Sequence, residues 1–432
     1  MEYGLIGNPL KHSFSKEVHS LIANYNYELK ELDNDSFDIF MQNKDFKAIN
    51  VTIPYKQKVI PYLDYIDDSA KNINAVNTIV NINGKLHGYN TDILGVLASF
   101  SHFDVNIDNK NVLILGTGAT SNTVYHAVMS TNNNESTILK AYRENSKIKG
   151  DILYSELDKV YNDIQIIINT TSNGMYPHAN DNQLIDISKF TKLEAVMDVI
   201  YNPLRTNLLI SAEKIGIKAI SGLYMLIAQA IYANKLFLNA KEHLSAKEIL
   251  SSIDNKEIEN QLNDVYIKCL SDKQNIVLIG MPTCGKSTLG KMISNKYGYK
   301  CIDTDKLIEE KIKCKISDYI KTHGEESFRN IETESIKSIS SENHVVISTG
   351  GGAILRNENV VNLKQNGKLF FINRSLQLLM PSSDRPLTSD IDSLKKKFNE
   401  RLPIYKSVCD VEINGDLEFE DKINDIIEQI AS

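Results

Sequence analysis

The sequence predicts an α/β protein built from parallel sheets with crossover helices, and three observations carry that prediction. Short apolar runs alternate with amphipathic stretches almost throughout the 432 residues. The string Gly280-Met281-Pro282-Thr283-Cys284-Gly285-Lys286-Ser287, a GxxxxGKS phosphate loop, follows an apolar strand at 276–279 and opens a helix at Thr288. Gly116-Thr117-Gly118 has the same setting, after a strand at 111–115 and before a helix beginning near Ala119. A phosphate loop so deep in the chain marks an appended domain, and the length is ample for two or three cores.

In chain order, 3–7, 48–53 and 78–80 read as strands, with a helix after Ser15 and a hairpin around Asn83-Gly84. Strands at 111–115, 136–142, 164–169 and 196–200 form a second group, and a helical stretch at about 223–253 can fold back on the first. Residues 254–273 are polar, acidic and without a strong apolar stripe, which reads as a linker, helical or not. From Gln274 a third group follows, with strands at 276–279, from about Lys300 to Asp303, and at 345–348. No repeat of 20–50 residues is present.

The net charge of −7, with no long basic run, argues against nucleic acid as a main partner. Five cysteines (Cys269, Cys284, Cys301, Cys314, Cys409) with no CxxC spacing predict a reduced, cytoplasmic compartment. Neither a leader nor a membrane span is expected.

The phosphate loop supplies backbone N–H groups, a mobile cation in Lys286 and a magnesium-ligating hydroxyl in Ser287. The GxG turn by itself is equally a tight turn, since Ser121 stands at the third-glycine position. The next strand runs into Tyr142-Arg143 where an NAD enzyme usually carries an acid, and arginine there suits a 2′-phosphate. A solvated surface arginine is the plain alternative. Asn50-Val51-Thr52-Ile53-Pro54-Tyr55-Lys56 and Asn90-Thr91-Asp92 offer a lysine and an aspartate able to move a proton at a carbonyl oxygen, although either alone reads as a surface residue.

Together and in order, Gly7-Asn8-Pro9, His12-Ser13-Phe14-Ser15, the strings around Lys56 and Asp92, Ala75-Val76-Asn77-Thr78, the GxG turn, Asn169-Thr170-Thr171-Ser172-Asn173-Gly174-Met175, Asp198-Val199-Ile200-Tyr201-Asn202-Pro203 and Gly222-Leu223-Tyr224-Met225-Leu226 to Gln229-Ala230 resemble the shikimate dehydrogenase family over residues 1–253. The resemblance implies a substrate-binding part at 1–101 and about 223–253, and a Rossmann NADP-binding part at 102–222. It implies Ser13 and Ser15 on the substrate carboxylate, and Thr52, Asn77, Asp92, Tyr201 and Gln229 on ring hydroxyls. Lys56 would be the acid/base residue with Asp92 its partner. Gly116, Gly118, Ala119 and Arg143 would hold NADP, with Gly222 and Met225 near the nicotinamide. Lys16, Ser20, Ile93 and Ala119 depart from the usual pattern, as do Tyr142 and Glu144 beside Arg143.

Beyond the phosphate loop, Asp303-Thr304-Asp305 puts alternate carboxylates at a strand end. Arg329 and Glu332 are spaced as helix neighbours, which in isolation reads as a surface ion pair. Thr349-Gly350-Gly351-Gly352 admits close backbone approach, or is a flexible turn. Asp384-Arg385-Pro386-Leu387 and Arg401-Leu402-Pro403-Ile404-Tyr405 add cations. These strings resemble the shikimate kinase family over 274–432. The resemblance implies Gly280, Cys284, Gly285, Lys286, Ser287 and Thr288 on ATP, Ser287 and Asp303 on Mg2+, and Asp305, Arg329, Gly351, Gly352 and Arg401 on shikimate, with Arg385 as a lid arginine. Asp305, Lys286 and Arg385 would act in catalysis. Thr283 stands where glycine is common.

The expectation is a fusion of the two activities: NADPH-dependent reduction of 3-dehydroshikimate to shikimate, then ATP-dependent phosphorylation of shikimate. Small molecules are the expected partners, with neither nucleic acid nor membrane, and a homo-oligomer is allowed. The competing readings are a sensor of nucleotide or shikimate without turnover, and a dehydrogenase oxidising quinate with NAD.

Overall fold

The computed structural model describes every residue except 11–12, 133–135, 243, 380–390 and 432. His12, Asp384 and the expected lid residue Arg385 therefore lie outside the described residues. Three sheets follow one another along the chain. The first contains β1 (Tyr3–Gly7), β2 (Tyr27–Glu31), β3 (Ala48–Val51), β4 (Tyr65–Ile66), β5 (Thr78–Ile82) and β6 (Lys85–Tyr89), in the order β2-β1-β3-β5-β6-β4. It is mixed: β5 pairs antiparallel with β3 and, through the expected Asn83-Gly84 hairpin, with β6. Strand β2 is absent from the sequence reading because four of its five residues, Glu28 to Glu31, are exposed on a sheet edge, so no apolar alternation marks it.

The second sheet contains β7 (Val112–Leu115), β8 (Ile138–Tyr142), β9 (Ile152–Leu153), β10 (Ile166–Asn169), β11 (Ala195–Asp198) and β12 (Lys218–Ser221), ordered β12-β11-β10-β7-β8-β9 with every pair parallel. Central strands β7 and β10 are wholly buried, as a sheet covered by helices on both faces requires. The chain reverses its direction of strand addition between β7 and β10, and the GxG turn leaves β7 at that point. The third sheet, also parallel, contains β13 (Asn275–Ile279), β14 (Lys300–Asp303), β15 (Val345–Ser348), β16 (Gly367–Asn373) and β17 (Val411–Asn414), ordered β14-β15-β13-β16-β17. Its phosphate loop leaves the fully buried central strand β13.

The chain divides into two compact units. Residues 1–175, 181–201 and 211–269 form the first, with both N-terminal sheets; 176–180, 202–210 and 270–432 form the second. The stretch expected as a linker is a helix, Asn255–Lys273, with Ile258, Leu262, Val265 and Cys269 buried. Only Gln274 separates it from β13. In the second unit, Arg205 donates from Nε to the Lys364 carbonyl at 2.9 Å and pairs with Asp410 at 3.2 Å. Arg205 and Lys364 hold the Asp410 carboxyl below its usual range against the opposing pull of burial.

Candidate active sites

In the first unit, helix Asp92–His102 begins on Asp92 and crosses helix Gly222–Asn239 at Gly95. A Cβ added at Gly95 would lie 2.7 Å from the Met225 carbonyl oxygen and 3.3 Å from Gln229 Cβ, so the crossing brings Asp92, Met225 and Gln229 together. Lys56 follows the turn after β3, and its Nζ donates to Asp92 Oδ2 at 2.6 Å with both side chains largely shielded. The Lys56 carbonyl accepts the Val76 N–H at 2.8 Å, fixing it beside Asn77. Thr52 stands at the end of β3, its N–H on the Ile6 carbonyl at 2.9 Å.

Ser13 Oγ accepts the Ser15 N–H at 3.3 Å, and Phe14 between them packs its ring 5.1 Å from that of Tyr201. Tyr201 is one residue from Ile200, whose carbonyl accepts the Gly222 N–H at 3.1 Å. Thus Ser13, Ser15 and Tyr201 adjoin the start of the helix that carries Met225 and Gln229. A Cβ at Gly222 would fall 2.2 Å from the Val199 carbonyl oxygen, a backbone atom with no room to move. Gly222→Ala is expected to destabilise the unit by about 1–3 kcal/mol through overpacking and to raise the KM for NADPH. Chemical denaturation and steady-state kinetics check both.

The sequence reading missed what holds these groups. Tyr27 donates to Asn50 Oδ1 at 2.7 Å, Asn50 Nδ2 donates to Thr78 Oγ1 at 3.2 Å, and Thr78 Oγ1 donates to Asn77 Oδ1 at 2.9 Å. Asn77 Oδ1 also accepts the Thr91 N–H at 2.8 Å, next to Asp92. This wholly buried chain fixes the Asn77 amide, and its members sit on four separate strands and loops, so spacing could not reveal it. Behind it, His19 is fully buried, stacked at 3.8 Å on Tyr27 with Nδ1 2.8 Å from the Tyr25 hydroxyl. Burial pulls its pKa from 6.5 down to about 3. The unfolded chain then binds the extra proton between those values, so stability falls as pH drops from 6.5 toward 3. Between pH 7 and 5 the loss is about 2 kcal/mol. His19→Gln is expected to remove most of that pH dependence in urea unfolding.

At the dinucleotide-type turn, Gly116 has φ +105°, and a Cβ there would meet Thr171 Cγ2 at 2.9 Å. Gly118 leads into helix Ala119–Met129, whose first N–H groups have no side-chain cap, and a Cβ at Gly118 would meet nothing within 4 Å. An open, uncapped helix N-terminus fits a pyrophosphate. Arg143 is exposed just past β8, with its N–H on Ser146 Oγ at 3.2 Å. That position fits a solvent-facing phosphate, and among the described residues no hydrogen bond holds its guanidinium.

In the second unit, Gly280 (φ +149°) and Gly285 (φ +97°) shape the phosphate loop, and Thr283 takes φ +66° where glycine would be unstrained. Lys286 heads helix Lys286–Tyr297, and its buried Nζ bonds the Gly280 and Met281 carbonyls, both at 2.9 Å. Cys284 is buried within the loop, and Thr288 is exposed in the first turn of the helix. Ser287 Oγ donates to Asp303 Oδ2 at 2.7 Å. One hydroxyl and one carboxylate beside a phosphate loop suit Mg2+, which completes its shell with phosphates and water.

Asp303 Oδ1 caps helix Thr304–Ile312 through the Asp305 N–H at 3.1 Å, which holds Asp305 beside the glycine turn. A Cβ at Gly350 would lie 2.6 Å from Asp305 Oδ1, and one at Gly352 would lie 2.4 Å from both terminal nitrogens of Arg329. Arg401 Nη1 donates to the Gly351 carbonyl at 3.0 Å. The turn therefore gathers Asp305, Arg329, Gly351, Gly352 and Arg401. The surface reading of Arg329 with Glu332 is wrong: they are 8 % and 1 % exposed and pair at 2.7 Å. A buried guanidinium requires such a partner. Burial raises the Glu332 pKa and Arg329 opposes it, while nearby Asp305 adds to the rise. Glu332 thus belongs to the site although the sequence offered only its spacing.

Residues 5–79 match the family model described as shikimate dehydrogenase substrate binding domain, and residues 282–431 match the one described as shikimate kinase. A shikimate dehydrogenase (NADP(+)) of Methanosphaera stadtmanae is 35% identical over 259 residues, covering 54% of this chain and 90% of that relative. Among solved structures, shikimate dehydrogenase 1 of Peptoclostridium difficile superposes with a TM-score of 0.52 at 29% identity, over 62% of this chain and 99% of that one. A chorismate mutase/shikimate 5-dehydrogenase fusion protein of Clostridium acetobutylicum gives the same score at 31% identity, over 62% and 97%. With both sites assembled and both family models matched, the chain belongs to the shikimate dehydrogenase family and carries a shikimate kinase domain in the same polypeptide.

Proposed function

We propose that the chain reduces 3-dehydroshikimate to shikimate with NADPH and then phosphorylates shikimate with MgATP. The observation that carries the first step is the 2.6 Å contact of Lys56 Nζ with Asp92 Oδ2, both side chains largely shielded from solvent. Ser13 and Ser15 take the substrate carboxylate, and Thr52, Asn77, Tyr201 and Gln229 take ring oxygens. Lys56 gives its proton to the carbonyl oxygen, and Asp92 orients the ammonium through their hydrogen bond. NADPH, when bound at Gly116, Gly118, Ala119 and Arg143 with its nicotinamide near Gly222 and Met225, supplies the hydride.

In the second unit Arg329, Arg401 and the Gly351-Gly352 turn hold shikimate so that its hydroxyl meets Asp305, which accepts the proton. Lys286 leaves the loop carbonyls it now bonds and turns to the phosphates, with the loop N–H groups and Thr288 around them. Ser287 and Asp303 would hold Mg2+, which when bound would supply charge neutralisation at the phosphates. The family resemblance gives Arg385, outside the described residues, the role of a further cation in catalysis. Five free cysteines agree with a reducing, cytoplasmic setting, and among the described residues no helix is long and apolar enough to cross a membrane. The decisive experiment supplies 3-dehydroshikimate, NADPH and MgATP to the whole chain and identifies products by mass. Accumulation of shikimate alone removes the kinase assignment, and turnover with neither cofactor removes both. Running it with NADH in place of NADPH tests the role given to Arg143.

A further inference from the structure

The string Arg401-Leu402-Pro403-Ile404-Tyr405 lies on helix Ile391–Val408, with Pro403 inside the helix. Residues four apart share a helix face. Both ends of this string converge on one atom: the Gly351 carbonyl oxygen accepts Arg401 Nη1 at 3.0 Å and the Tyr405 hydroxyl at 2.6 Å. That uses both lone pairs of the oxygen. Tyr405 is 1 % exposed, and its ring stacks on Phe371 of β16 at 4.9 Å and 9°. On its other side the turn lies flush on the phosphate loop, since a Cβ at Gly351 would stand 2.8 Å from Pro282 Cδ. The hydroxyl therefore sets the height of the glycine turn between the ATP loop and the two arginines.

We propose that Tyr405 is a positioning residue for phosphoryl transfer, whose hydroxyl shares the Gly351 carbonyl with Arg401 and so keeps the glycine turn and the Arg401 guanidinium in register for the acceptor substrate. The proposal rests on the kinase reading given above. Tyr405 is buried and acts through Gly351 and Arg401. Without the hydroxyl, one lone pair of the Gly351 carbonyl is bare and Arg401 is its one remaining side-chain donor among the described residues. The acceptor site then loosens while the phosphate loop, shaped by Gly280, Gly285 and its own hydrogen bonds, keeps its form.

The test is Tyr405→Phe in the full chain, which keeps the ring on Phe371, compared with Phe371→Leu, which loses the stack and keeps the hydroxyl. Expected for Tyr405→Phe is a rise of about tenfold in the KM for shikimate, of the size a lost hydrogen bond gives, with the KM for ATP within twofold of the parent. Phe371→Leu is expected to lower the thermal midpoint without splitting the two KM values. Equal changes in both KM values, an unchanged KM for shikimate, or a Tyr405→Phe chain whose kinase unit does not fold would each make the hydroxyl merely structural and overturn the proposal. Parent protein that consumes no ATP with shikimate present overturns the kinase reading itself, a result distinct from these.

Discussion

Lys56→Ala lowers the rate of NADPH-dependent reduction of 3-dehydroshikimate by about 10²–10⁴-fold, the range for loss of a positioned general acid. Shikimate-dependent ATP consumption by the same chain is unchanged. Lys56 Nζ is 2.6 Å from Asp92 Oδ2, and both side chains are mostly withdrawn from solvent. Its backbone is tied to Val76 beside Asn77, which fixes where the side chain leaves the turn, and Asp92 holds its ammonium. Alanine removes the proton donor and leaves Asp92 without its cation, while the buried chain from Tyr27 through Asn50 to Thr78 still holds Asn77. Shikimate binding therefore survives better than turnover, with kcat carrying most of the loss. Measuring both activities on one sample makes the kinase an internal control for concentration and folding. A Lys56→Ala chain that keeps parental kcat would falsify the assignment of Lys56 as the acid.

What the sequence made legible follows from where each signal resides. The phosphate loop, the GxG turn and the buried strands β7, β10 and β13 are local patterns, and each lies where periodicity and glycine spacing place it. Strand β2 and strand β12 escaped because edge strands are short and partly polar. The helix Asn255–Lys273 looked like a linker because only Ile258, Leu262, Val265 and Cys269 of its nineteen residues are buried. Site residues drawn from local strings, such as Lys56 and Asp92, meet in space, and their resemblance to a family supplied what spacing could not. Groups whose role is to hold others were illegible. Asn50, Thr78 and Tyr405 are polar residues in apolar surroundings, and only the fold shows that their partners are Tyr27, Thr91 and the Gly351 carbonyl.

Asp305→Asn is expected to lower shikimate-dependent ATP consumption by about 10²–10⁴-fold, with the KM for ATP and the dehydrogenase rate unchanged. Asparagine keeps the shape that packs against Gly350 and the N–H that Asp303 caps, and it removes only the charge and the capacity to take a proton. The same substitution reaches a second group. Glu332 is raised above its usual 4.5 first by burial, with Asp305 adding repulsion and Arg329 and Arg401 opposing. A carboxyl whose folded pKa exceeds its unfolded value binds more protons when folded, so its contribution to stability diminishes as pH rises from 4.5 through that raised value. Neutralising Asp305 takes away one cause of the rise. The Glu332 carboxylate then stays ionised to lower pH, and the pH window over which the unit loses this stability narrows. Urea unfolding of parent and variant between pH 4.5 and 7 reads that change. Asp305 acting only as a surface charge predicts neither the kinetic loss nor the narrowed window, whereas a catalytic acceptor beside a buried Arg329–Glu332 pair predicts both.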